Sequence, residues 1–194
     1  MCFSFEVSIG TFLFSWGSAF YLLSKDLTVM EQQSIYFLMI FSTMQLLDAI
    51  LWSVGMEKNS INYAVTSYLI PSVLSAQVIY NLLVINKLWN PLVLGVILAT
   101  IVALFNLNRG YSKQSCNMFS SPIWGNSYTK AGMLFFAILI SFGRIGLVGT
   151  KLHILLVMLL TLFASWLFSG GEGSLWCAFA NIASIYYLVM YRNK

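Results

Sequence analysis

The chain has 194 residues, 59% hydrophobic and 8% charged, with ten Lys and Arg against six Asp and Glu and a formal net charge of +4. Ordinary soluble domains carry roughly 25% charged residues, so this composition argues against a water-soluble domain and predicts an integral membrane protein. The basic excess would suggest nucleic acid in a soluble chain, but the cations are scattered through connecting segments, where they orient spans; no nucleic-acid partner is expected.

The first residues read MCFSFEVS, placing the Cys2 thiol and the Glu6 carboxylate just ahead of an apolar run. A secretory leader has a basic n-region and a small-residue cleavage site. Here the first basic residue is Lys25, so the opening residues are expected to stay in the mature protein. Crossing a bilayer takes about 20 apolar residues, and fewer where flanking groups snorkel. Seven runs meet that need, at about 7–24, 33–55, 62–86, 90–106, 131–148, 153–169 and 174–191. Asn90-Pro91 is a cap and first-turn pair for the fourth. Arg144 lies inside the fifth and must snorkel, pair or mark an earlier helix end. Ser169-Gly170-Gly171-Glu172-Gly173 is a turn between the last two.

The expected fold is therefore all-α, a single polytopic transmembrane bundle of about seven spans covering 1–194, with an outer loop at 107–130. Seven spans put the termini on opposite sides. Lys25, Lys87, Arg144, Lys151, Arg192 and Lys194 then share the C-terminal side, against Lys58, Arg109, Lys113 and Lys130 on the other. Cations favour the cytoplasm, which predicts an outer N-terminus and a cytoplasmic C-terminus.

With that alternation, Cys2, Cys116 and Cys177 come to the outer side. An oxidising compartment would permit a Cys116–Cys177 or Cys2–Cys116 bridge, and three small apolar fillers is the other reading. Metal ligation is not specified: there is no CxxC pattern, and the one histidine, His153, falls on the opposite side. Glu6, Glu57 and Glu172 flank helices on the outer side. Asp48 is the acid well inside a span, seven residues from its outer end and so about 10 Å deep. A carboxylate in hydrocarbon is costly, and an acid in a span is a functional-site hypothesis by default. Ser42, Gln45, Asp48 and Trp52 recur on one side of the second helix, which predicts an inward stripe. Other polar stripes are Ser8, Thr11, Ser15 and Ser18 in the first span, Ser67, Pro71, Ser75, Gln77 and Asn81 in the third, and Cys177, Asn181 and Ser184 in the seventh. Pro71 frees a carbonyl and invites a kink. Trp124, Trp166 and Trp176 read as interfacial belt residues.

MCFSFEVS, QLLDAILW in the second span and SLWCAFA opening the seventh resemble an uncharacterised family of small polytopic membrane proteins, many bacterial. Its members typically begin Met-Cys-Phe/Trp-Ser, carry a Gln, acid and Trp pattern in the second span, and end near Trp-Cys-Phe. Here the pattern is stretched at Gln45, Asp48 and Trp52, and Phe5 and Ala178 depart from it. The resemblance implies that Cys2, Glu6, Gln45, Asp48, Trp52, Trp176 and Cys177 belong together, and it implies no activity.

These readings converge on a small transporter or ion- or ligand-binding membrane protein, with an acidic site opening to the outer side. Its expected ligand residues are Glu6, Gln45, Asp48, Trp52, Asn81 and Asn181. The alternative is a structural or accessory subunit of a larger membrane assembly. In either case the partner is the lipid bilayer, with a homo-oligomer or larger complex as the assembly; no cofactor and no particular membrane is specified. An enzyme is disfavoured: one histidine cannot hold a ceramidase-type zinc, no Gly-x-Ser-x-Gly elbow occurs, and the last span has no lysine for a Schiff base.

Overall fold

The computed structural model describes residues 4–114, 122–125, 138–139 and 172–192, and in the last stretch the side chains from Ala180 onward. Within them the chain is helical: α1 (Phe5–Leu23), α2 (Val29–Ser53), α3 (Ser60–Ile85), α4 (Pro91–Leu107) and α5 (Glu172–Met190). The expected runs at 131–148 and 153–169 fall outside the described residues. By length and composition, α2 and α3 can each cross a membrane, and α4 is a shorter apolar helix.

Local chemistry sets most of the helix starts. Ser4 caps α1 by accepting from the Val7 N–H at 3.3 Å. Thr28 and Glu31 form a capping box, with the Glu31 carboxylate accepting from the Thr28 N–H at 2.8 Å. The box starts α2 four residues before the apolar run that predicted it. Asn59 and Asn90 accept from the N–H groups of Asn62 and Val93, and Pro91 enters α4 in the first turn, where a missing N–H costs nothing.

α3 is not a regular α-helix. Its turns widen to π geometry at Val65–Leu69 and again at Tyr80–Ile85, on either side of an α-helical segment, Ile70–Ile79. Pro71 supplies no N–H to the preceding turn. The helix responds by stepping to a longer bond, the Ile70 N–H reaching the Val65 carbonyl. A wide turn thus stands where the sequence predicted a kink.

α1 packs along α2; α2 also meets α3 and α5, and α4 lies against α3. Leu22, Ile35, Met44, Leu51, Ile70, Val78 and Tyr187 are fully enclosed between them. After α4 the chain turns back over the bundle instead of running free. Lys113–Gln114 (β1) pairs antiparallel with Pro122–Ile123 (β2), Lys113 opposite Ile123, and β2 rests on α5. This short ribbon lies inside the segment expected to be an outer loop.

The ribbon is followed by a tight approach. Gly125 has φ +57°, and a Cβ there would stand 2.7 Å from the Asn108 Cα and 2.8 Å from its carbonyl oxygen. Both backbone strain and overlap should oppose any side chain. Gly125→Ala is expected to cost about 1–3 kcal/mol, read as a lower midpoint in detergent unfolding. Gly55→Ala, at φ +62° but with only Glu57 Cγ at 3.8 Å, should lose clearly less.

Candidate functional site

Asp48 lies five residues before the end of α2 and has 0% of its surface exposed. Gln45, one turn earlier on the same face, and Ser42, one turn before that, are also fully enclosed. Trp52 is half-buried at the rim. The Ser42 hydroxyl donates back to the Leu38 carbonyl at 2.8 Å, so it serves its own helix.

A group that meets Asp48 comes from another part of the chain. Trp124, directly after β2, is 5% exposed, and its indole Nε1–H donates to the Asp48 Oδ1 at 2.9 Å. By sequence alone Trp124 is an interfacial belt residue. The structure instead puts it inside, with its one polar atom on the buried acid. A Pro-Ile-Trp-Gly turn on the same side as Asp48 was the available signal, but an indole in a loop does not announce its partner.

A second set of bonds holds this segment down. The Asn62 side chain in α3 donates to the carbonyls of Glu57 and Ser112, each at 2.9 Å, and accepts from the Ser112 N–H at 2.8 Å and the Thr66 hydroxyl at 3.0 Å. Thr66 and Ser112 share a hydroxyl contact at 2.7 Å. One turn along, the Ser67 hydroxyl donates to the Gly110 carbonyl at 3.1 Å and accepts from its N–H at 3.0 Å. All three side chains of the Asn62, Thr66 and Ser112 knot are buried. A buried backbone segment needs such partners, and α3 supplies them. Asn62, Thr66 and Ser112 were not among the expected site residues; Asn62 and Thr66, four apart on one helix face, were the legible clue.

The other expected residues are distributed more widely. Glu6 is exposed in the first turn of α1, where the backbone N–H and then the Ser4 side chain hold its carboxyl below the usual range. It is on the surface, whereas Asp48 is enclosed. Asn81 is buried, donating to the Leu139 carbonyl at 2.8 Å and accepting from Asn86 at 3.2 Å. Its neighbour Tyr80 packs on Phe37, the ring centroids 6.5 Å apart. Phe37 stands eleven residues before Asp48 in α2, about 16 Å away along the axis, so Asn81 belongs to a different level. Asn181 accepts from the Ser15 hydroxyl at 3.4 Å and ties α5 to α1. Cys2, Cys116 and the side chain of Cys177 lie outside the described residues, and the disulfide pairings with them. Among the described residues no group of three or more His, Cys, Asp or Glu is placed to hold a metal ion.

One further polar group stands apart. Gln77, in the α-helical segment of α3, is fully buried, and neither its Oε1 nor its Nε2 has a hydrogen-bond partner in the protein. An amide left so in an apolar interior costs about 1–3 kcal/mol.

No family model matches the chain, and neither a curated protein nor a solved structure matches it.

The bond between Trp124 and Asp48 is directly testable. Trp124→Phe keeps the ring and removes the donor; if Asp48 is ionised the loss should be about 1.5–3 kcal/mol. A double-mutant cycle with Asp48→Leu, which removes the acceptor, measures it in detergent unfolding, and a coupling energy near zero would mean that the bond adds nothing to stability.

Proposed function

We propose that the protein is a small polytopic membrane protein of about seven spans, with its N-terminus outside and its C-terminus in the cytoplasm. It binds a cation or small polar ligand at Asp48 and acts as a transporter or ion-binding protein on the outer side. The reading rests on one observation: a carboxyl group inside a helix long and apolar enough to cross a membrane, with no exposed surface, is met by an indole N–H from a segment folded across the bundle. Such an acid is expensive to keep unless it is used. The resemblance carried by Gln45, Asp48 and Trp52 supports the grouping, and these residues line one face of α2.

In this arrangement the site is closed. Trp124 covers Asp48, and the Asn62 knot holds the cover. Ligand access then requires that the segment carrying Trp124 lift from α2, which makes the indole a gate as well as a partner. Gln45 offers an amide one turn deeper.

The full chain in proteoliposomes loaded with a pH dye tests this reading. An imposed proton or cation gradient should drive proton movement at a rate that Asp48→Asn lowers at least tenfold, while Trp124→Phe alters the rate and leaves the coupling. Equal flux through wild type and Asp48→Asn would sink the transport reading.

A structural or accessory subunit is the second reading, and the closure of Asp48 is what favours it: a sealed acid serves packing as well as binding. The outward apolar side chains of α4, Leu92, Leu98 and Val102, would then face lipid or a neighbouring subunit.

A further inference from the structure

α3 carries a polar stripe that is wholly out of solvent. Asn62, Thr66, Gln77 and Asn81 are each 0% exposed and share one face at multiples of three to four residues. Three of the four are engaged. Asn62 and Thr66 bind the returning segment at Ser112, and Asn81 is held by Leu139 and Asn86. Gln77 has no protein partner for its carbonyl or its amino group.

Two features show that this is more than an unlucky rotamer. First, both ends of the amide are unmet, so exchanging its oxygen and nitrogen repairs nothing. Second, Gln77 sits in the short α-helical segment Ile70–Ile79, between two wide turns and after a proline that brings no N–H. Wide turns of this kind occur inside helices at functional sites. The buried hydroxyls of Ser8 and Ser75, which also lack partners, are single rotors that turn to their own helix carbonyls at small cost, and the Trp16 indole leaves one donor unmet, not a donor and an acceptor together. A carboxamide can turn its amino group to a nearby helix carbonyl, as Gln32 does to Leu27 and Asn108 to Leu104, but this leaves its own carbonyl unmet, and Gln77 makes neither bond.

We propose that Gln77 is the anchor of an internal binding site inside α3 for a small neutral group that offers a donor and an acceptor together. Water is one source of that chemistry, and a small amide solute is the other. Burial in the single chain keeps lipid headgroups and a second copy from reaching it. A bare cation would satisfy the carbonyl and repel the amino group, so the site takes neutral molecules. Helical side chains lean toward the preceding turn, which places the bound group beside Leu74 and Ile70. Eight residues separate Gln77 from Ile85, so the site is about 12 Å from that end of α3. It is distinct from Asp48, and it stands whether or not Asp48 binds a ligand.

The test is X-ray radiolytic footprinting of the full chain in lipid nanodiscs, read by mass spectrometry. Hydroxyl radicals made from a bound water label its neighbours even where bulk solvent does not reach. Ile70 and Leu74 are expected to be labelled at least fivefold faster than Leu22 and Ile35; Ile70 is the matched comparison, since it and both controls are 0% exposed, whereas Leu74 is 4% exposed. Gln77→Met, apolar and of similar length, should remove that excess. Acetamide is then added at increasing concentration. Protection of Ile70 and Leu74 in the wild type assigns the site to amide solutes as well as water; labelling that acetamide leaves unchanged assigns it to water alone. Labelling of Ile70 and Leu74 no faster than that of Leu22 and Ile35, with or without acetamide, would overturn the proposal, and this result needs no variant to fold.

Discussion

A carboxyl group enclosed by apolar helices has to be neutral, paired or both, because hydration is lost and little replaces it. Asp48 meets that constraint through the Trp124 indole, and much of the surrounding structure follows from the need to bring that donor in. The donor arrives from 76 residues away in sequence. The chain must leave α4, reverse, and lie across the bundle closely enough for Gly125 to pass over the Asn108 backbone. Only a residue without a Cβ tolerates both the approach and the positive φ. The polar contact, the turn and the short ribbon against α5 are thus one construction.

α3 is the element against which that construction is braced. A returning backbone segment brings its own N–H and C=O groups into the interior, and each needs a partner. Asn62 supplies donor and acceptor from one side chain to the same residue, Ser112, while Thr66 closes the set through its hydroxyl. Ser67 does likewise for Gly110, donating to its carbonyl and accepting from its N–H. This pattern explains why an apolar helix has so many small polar residues in its first two turns. The wide turn at Val65–Leu69 falls within the same stretch, just before Pro71, so the helix changes pitch where it grips the loop.

The sequence was informative where the cause is local. Asn90-Pro91 marks the start of α4 through a cap and a tolerated proline, and the Thr28 to Glu31 spacing explains why α2 starts ahead of its apolar run. The face of α2 holding Ser42, Gln45 and Asp48 follows from helical spacing alone. What could not be read is which distant group meets which. Trp124 has the composition of an interfacial residue, and only the chain reversal after α4 turns it inward. Asn81 has the composition of a site residue, yet the packing of Tyr80 on Phe37 fixes it at another level from Asp48. Spacing gives the face of a helix; it does not give the axial offset between two helices, which depends on how their side chains interlock.

Paired and unpaired polar groups therefore divide the interior by depth. Near the end where the loop returns, Asn62, Thr66 and Ser67 are engaged by that loop, and near the opposite end Asn81 and Asn86 engage each other and the Leu139 carbonyl. Between them the stripe on α3 continues through Gln77, beyond the reach of either set of partners. If the helices had been selected for packing alone, that position would favour leucine or methionine, since an apolar residue of similar size removes the penalty without leaving a hole. A glutamine there is the least economical choice for a static bundle. It becomes an ordinary one when something other than the protein completes its hydrogen bonds.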